Sequence, residues 1–470
     1  MPDIDTLCEP AANLWGHLLE NNQTQSQKFL DLFSRNEIQY FRQAILDEAI
    51  LYTHNLRKTA LMKTILISET CGAKTADKII MTGHQPNIYH TGIQAKYEAL
   101  NTFAKDTNTA AINVIIDTDT GTGGLFHYPN SETSISSVDI SNNNPLYLFQ
   151  QIADKNFIET AFDSITSSLN SLSSKLVQRI DPVKSFYTQV SGMLVSEANT
   201  IVRRTLTSSE YYYDIPLSVI LKSSYIQTLF SNILSDHDNF ETGYNQSLHK
   251  YRDEHKIKNA ANPFPDLKEN ETLFWLIDPH TQSRSSYYLG DIIENEKFLA
   301  PKAFIITLIL RYCLSDLFIH GRGGAKYDQF LDFWVSDHYK MHAPAFVTAS
   351  ADTYLFSDKI ERYEQYVSTL SQRRNISAHI SKHLDADIFN DAEQADLQEL
   401  TNQKNILLSA LKKPDNTHAE RQHYGTQIKK IDTSIKKIVN YNLKIENEAN
   451  LANINEKTLY YREFPFFFFT

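Results

Sequence analysis

Apolar side chains fall at every third or fourth position between residues 25 and 68, in "FLDLFSRNEIQYFRQAIL" and "ALMKTILI", and predict amphipathic helices. The pattern then changes. "DKIIMTG" and "AAINVIIDTD" are short β-branched runs ending in Gly or Asp, with the helix-like "IQAKYEALNTFAKD" between them. That order predicts the β-loop-α-β unit of a parallel sheet. From 131 to 176 Ser and Asn dominate; "NSETSISSVDISNNN" reads as a loop and "DSITSSLNSLSSKL" as a polar-faced helix. Helical spacing over 195–255 predicts a helical insertion between two sheet-forming regions.

The strand-like "ETLFWLID" at 271–278 opens the second region. "AFIITLILRYCL" at 303–314 predicts a buried helix, since Arg311 interrupts it and it is too short to span a bilayer. "DLFIHGRGG" reads as a strand ending in glycines, and "AKYDQFLDFWVSDHYKMH" as a helix with Tyr327, Phe330, Leu331 and Trp334 on one side. "APAFVTASADTYL" supplies a further strand. Beyond 357 aromatics thin out, Lys, Glu, Gln and Asn accumulate, and apolar residues keep a helical spacing. An antiparallel helical hairpin or coiled-coil arm is expected there. The ending "LYYREFPFFFF" is too apolar for a solvated tail and should pack on the body. The expected class is α/β, with a parallel sheet, helical insertions and a C-terminal helical arm. Its segments are 1–75 (N-terminal helical), 76–150 and 269–356 (two halves of the core), 151–268 (helical insertion), 357–450 (arm) and 451–470 (tail).

Composition narrows the function classes. With 41% hydrophobic and 21% charged residues over 470 positions, the chain can bury a large core as a soluble globular protein. Its 45 basic and 56 acidic side chains give −11 at pH 7, a field that repels polyanions and offers no nucleic-acid footprint, though a local basic pocket for one small anion is compatible with it. Cys8, Cys71 and Cys313 are widely spaced and form no metal or disulfide pattern, which suits a reducing compartment. The acidic start "MPDIDTLCEPAANLW" lacks the features of a signal peptide. A cytoplasmic protein without membrane or nucleic-acid partners is the expectation.

Three stretches carry chemistry. "TGHQPNIYHTG" joins a strand to a helix, at the carboxyl edge of a parallel sheet, where ligands bind. Gly83 and Gly92 would let backbone approach a ligand, and Thr82, His84, Gln85, Asn87, His90 and Thr91 offer polar groups; the alternative is a polar loop whose Asn87 or Thr91 caps the helix. "IIDTDTGTGG" places Asp117 and Asp119 at the same edge, for a divalent metal or a ligand hydroxyl, or as a turn whose carboxylates bind backbone N–H groups. "HGRGGAKYDQFLDFW" sets Gly321, Gly323 and Gly324 before a helix, with Arg322 and Lys326 as charges for a phosphate or carboxylate. It matches neither a P-loop nor a dinucleotide fingerprint. His338 and His342, four apart, have a metal-ligand spacing but no third ligand in view, and read as a surface pair.

Together these stretches resemble the BshC family, the cysteine ligases that complete bacillithiol biosynthesis. "MTGHQPNIYHTGIQAKYEAL" follows the family's "TGQQ-GLFTGP-YT-YKA" segment in order and spacing, and "IHGRGGAKYDQFLDFW" with "APAFVTASADTYL" follows its "VGGPGEIAY" and "P-PV-YPRAS-TL" segments. "NETLFWLIDPHTQSRSSYYL" is similar to the family's "LFY" hairpin and its following basic residue. The resemblance runs discontinuously from about 80 to 360 and implies a Rossmann-like, synthetase-related core and a coiled-coil arm that mediates dimerisation. By the same resemblance the reaction would be condensation of cysteine with a glucosaminyl malate. The residues themselves make His84 and His90 the catalytic candidates, His84 orienting substrate and His90 acting as an acid or base because an unperturbed imidazole titrates near neutrality. Gly83, Gln85, Asp117, Asp119 and Arg322 would hold substrate. ATP or ADP, or a divalent metal, would be the cofactor, with no motif to fix either. The chain departs from the family where His84 replaces the first glutamine of "TGQQ", where Asp117, Thr118, Asp119 and Thr120 replace "EDHD", and where Arg322 replaces a small residue or proline. Fold therefore carries over better than substrate. A metal-dependent transferase using Asp117 and Asp119, or a non-catalytic dimeric scaffold, are the other readings.

Overall fold

A computed structural model describes residues 5–23, 38–207, 209–294, 296–446 and 448–469. Residues 24–37, part of the expected N-terminal helical segment, lie outside that set. The described residues separate into two compact units, Met1–Leu355 with Tyr461–Thr470, and Phe356–Tyr460.

Along the first unit run β1 (Asp5–Glu9), the helix α1 (Ile38–Met62), β2 (Ile79–His84), α2 (Thr91–Thr107), β3 (Ala110–Ile115), β4 (Leu125–Ser131) and β5 (Ser134–Asp139). After two helices, Lys155–Asn170 and Ser174–Gln189, come α3 (Val195–Leu206) and β6 (Tyr213–Pro216). Then follow β7 (Glu271–Asp278), β8 (Ser283–Tyr288), β9 (Phe298–Pro301), β10 (Leu317–His320), α4 (Arg322–Tyr339) and β11 (Val347–Asp352). The main sheet has the order β1-β11-β10-β2-β3-β6, and all its pairings are parallel except that of the edge strand β1 with β11. Five strands thus end at one edge, and β2, in the middle, carries His84 there. The central strands β2 and β3 are almost wholly buried, as expected for a sheet covered on both faces.

Side-chain pattern explains the layers. Tyr97, Leu100 and Ala104 of α2 pack on one face with Ile80, Ala111 and Ile319, while Met81, Ile112 and Val114 face the larger core on the other side, beneath α1 and the helices of 217–254. A third core joins the β4–β5 hairpin and the two helices of 155–189 to Phe464, Phe466, Phe467 and Phe468, so the apolar C-terminal tail is buried. The second unit contains helices Ser357–Ala378, Asp391–Leu411 and His418–Asn442 around Ile376, Leu397, Ile431, Ile435 and Val439, and capping boxes at Asn390 and Thr417 start two of them. Among the described residues no helix is long and apolar enough to cross a membrane.

Several expectations change. The Ser-rich stretch after 131 forms β5, because Phe126, Tyr128, Ile135 and Val138 give the hairpin a buried face that the polar composition conceals. A strand, β6, interrupts the expected helical run of 195–255; four residues, Tyr213–Pro216, are too few to show a period. "ETLFWLID" does form β7, but in a separate antiparallel sheet of order β8-β7-β9. The N-terminal region contributes β1, and α1 stops at Met62, with Thr64 in the left-handed region and Ile65 and Ile67 buried in irregular chain. The segment 303–314 is the buried helix expected, closing with a π-helical turn, and its Arg311 is buried with it between Asp328 and Asp332. On α4, Phe330, Leu331 and Trp334 are buried but Tyr327 is 51% exposed.

Candidate functional site

The loop after β2 is held by its own polar residues. His90 is the N-cap of α2: its Nδ1 accepts from the N–H of Gly92 at 3.0 Å, a role expected of Asn87 or Thr91. Asn87 instead donates to the carbonyl of Thr122 at 2.9 Å, and Gln85 donates to Asp119 at 2.9 Å. From α3, the buried Asn199 donates to the carbonyls of Pro86 (2.5 Å) and Gly123 (2.8 Å), tying together the loops that follow β2 and β3. The tail closes the other side through Phe466 N–H, which donates to the Tyr89 carbonyl at 2.9 Å.

A cavity of about 270 Å³ opens beside this loop, lined by His84, His90, Tyr89, His127 of β4, and Glu463 and Pro465 of the tail. His84 meets the edge of the Tyr89 ring, with centroids 4.2 Å apart, and its Nδ1 is buried without a hydrogen-bond partner. Burial, then the nearby positive charge of Lys96 and His90, holds the His84 ring well below the usual histidine range. Burial and Arg462 lower His90, against the opposing pull of Glu463 and Asp352. Both rings are therefore neutral near pH 7. Because His90 Nδ1 is an acceptor, the proton of that neutral ring sits on Nε2. The site thus offers an N–H donor, His90, and an imidazole able to take a proton, His84. A larger cavity of about 650 Å³ lies between α2, β1 and β11, but its walls are mostly apolar and hold neither histidine.

The other expected residues have different tasks. Thr82 donates to the Ile319 carbonyl at 2.8 Å and is fully buried, so it joins β2 to β10 and does not meet a ligand. Gly83 and Gly92 approach their own chain: a Cβ on Gly83 would lie 3.2 Å from the Val114 carbonyl, and one on Gly92 2.8 Å from the His90 ring. Asp117 accepts from the Ser218 hydroxyl (2.5 Å) and N–H (2.9 Å), and burial, outweighing those hydrogen bonds, pushes its carboxyl up to about 6. Asp119 pairs with Arg284 at 2.9 Å, whose guanidinium lies over Trp275. The two carboxylates therefore serve separate partners, and among the described residues no group of three or more His, Cys, Asp or Glu is placed to hold a metal ion.

At β10 the helix α4 begins at Arg322, with Gly321 as its N-cap, so Gly323 and Gly324 stand within the first turn. Arg322 and Arg462 both pair with Asp352, the latter at 2.9 Å, which leaves Arg322 engaged in an ion pair where a ligand charge was expected. Gly324 lets the His320 ring lie against the helix start, 2.8 Å from where a Cβ would be. His338 stacks on Trp334 and His342 is exposed.

The residues that sequence reading passes over are Lys96, His127, Asn199, Arg284 and Glu463. Lys96 and Arg284 lie inside the quoted stretches, where helix spacing and the basic residue of the hairpin were visible; His127, Asn199 and Glu463 reach the site only through the fold. A contrast between two glycines tests the local reading. Gly92→Ala should lower stability by about 1–2 kcal/mol, the size of a lost N-cap, whereas Gly323→Ala, which meets nothing within 4 Å, should be neutral or stabilising. Urea denaturation of the two variants checks the difference. No protein-family model matches the chain, and no curated protein matches it significantly.

Proposed function

We propose that the protein is a BshC-like ligase or transferase that condenses an amino acid, cysteine in that family, with the amine of a small sugar-derived acceptor. The observation that carries this reading is the cavity at the carboxyl edge of β2, where the loop resembling the family's "TGQQ" segment presents His84 and His90 together. Forming an amide breaks a C–O bond of the amino acid's carboxyl group, whose oxygen leaves as water or, when ATP first activates it, as phosphate or AMP, and the attacking ammonium must lose a proton. A buried imidazole that stays neutral at pH 7 accepts it, and the His90 Nε2–H donates to the oxygen on which negative charge develops.

In this reading the six-stranded sheet is a Rossmann-like core, the second unit is a coiled-coil arm that pairs two copies, and the enzyme works in the cytoplasm. The internal core of the second unit leaves Val367, Ile406 and Tyr441 exposed, which suits an arm with a further partner. Asp117 and Asp119, engaged with Ser218, Gln85 and Arg284, give no support to a metal-dependent transferase.

Incubation of the purified protein with cysteine and glucosaminyl malate, with and without ATP and magnesium, is expected to yield the condensed product by mass spectrometry. A folded sample that forms none under any of these conditions would reject the family reaction and direct the search to other amines and acids.

A further inference from the structure

Lys96 is placed unusually for a lysine. It lies one turn into α2, is 2% exposed, and donates from Nζ to the carbonyl of Gly83 at 2.9 Å. Its stem passes beneath the second glycine turn, with Cδ 3.7 Å from the position of a Cβ on Gly321. No carboxylate among the described residues neutralises it, and burial brings its amine down to about 7. Buried lysines are normally paired or absent. A methionine would fill the same space without the desolvation cost, so packing alone does not account for it.

We propose that Lys96 is a positioning residue for His84: its amine clamps the Gly83 carbonyl next to His84, and the charge it carries when protonated keeps the imidazole from binding a proton. The remaining titratable groups round the ring are His90 and Tyr89 on the loop, His127 on β4 and Glu463 on the tail. Beyond His90 stands Asp352, already neutralised by Arg322 and Arg462. After burial, Lys96 is the largest influence holding the His84 ring neutral, with His90 acting in the same direction and the backbone of Gln85 opposing it. The role rests on His84 being the proton acceptor of the proposed reaction. It is tested without turnover, so a failure here is distinct from a failure to find product.

The experiment follows the histidine rings of the full-length protein by long-range ¹H–¹⁵N NMR from pH 5 to 8, with His84 assigned through His84→Ala. In the wild type His84 should stay neutral across most of that range. Lys96→Met, neutral and of similar volume, should raise the His84 midpoint by about half a pH unit or more, and Lys96→Arg, which restores charge, should bring it back down. An unchanged midpoint in folded Lys96→Met would overturn the proposal, because a merely structural lysine would not move it. Should Lys96→Met not fold, Lys96→Gln, which can keep a hydrogen bond to the Gly83 carbonyl without the charge, takes its place: the same rise in the His84 midpoint supports the role, and an unchanged midpoint rejects it.

Discussion

Asp214→Ala is expected to destabilise the protein by about 3–5 kcal/mol, the range measured when one partner is removed from a buried ion pair. Asp214 is fully buried on β6 and takes Arg203 at 2.7 Å, Arg204 at 2.5 Å and the Asn113 amide at 2.6 Å. Both arginines are themselves buried. Without the carboxylate, two guanidinium charges remain out of water with hydroxyl and carbonyl partners and the faces of Tyr97 and Tyr212 but no counter-charge among the described residues, and β3 loses its side-chain tie to β6. A domain is stable by only about 5–15 kcal/mol, so the loss is a large fraction of the total. Denaturant unfolding followed by circular dichroism measures it; a change below about 1 kcal/mol would mean that the cluster is solvated in solution. The sign of the pH dependence follows from the same contacts. Burial raises the Asp214 carboxyl, but Arg203, Arg204 and Asn113 outweigh it and hold it below the usual value. Its contribution is therefore complete above the ordinary aspartate range and lost as pH falls through the lowered folded value. Asp214→Asn should flatten that acid limb.

His84→Ala is expected to reduce turnover of the proposed condensation by about 10²–10⁴-fold, the usual contribution of a positioned acid or base, with the fold retained. The family that the loop resembles carries glutamine at this position, so His84→Gln is the sharper variant. An amide orients a substrate but accepts no proton, and its turnover should stay low and lose the acid limb of the pH profile. Turnover of His84→Gln at the wild-type rate would mean that the side chain only positions. Because burial, Lys96 and His90 keep the ring from protonating, the wild-type rate should persist below the ordinary histidine range and fall only at more acid pH.

Much of the frame was legible because local patterns agreed with global ones. The runs "KIIM", "AINVII" and "LFIH" are strands since burial on both faces selects continuous apolar residues, and the loops after them fall at the sheet edge because parallel strands demand it. Short or polar elements were not legible. β6 has four residues and β5 is half serine, and their apolar neighbours come from elsewhere in the chain. The same limit holds at the site. Residue types in "TGHQPNIYHTG" announce hydrogen bonding, but not with whom; Thr82, Gly83, Asn87 and Gly92 turned out to bind or touch their own chain.

By itself, then, the order of residues determined the class of fold, the edge at which chemistry is possible and the two histidines offered there. Tertiary structure decided their states. It brought His127 and Glu463 to the cavity from distant segments, turned Asp117 to Ser218 and Asp119 to Arg284, and buried Lys96 with no counter-charge among the described residues. Those outcomes depend on distance and desolvation between groups far apart in the chain, and neither quantity is written in any local stretch of sequence.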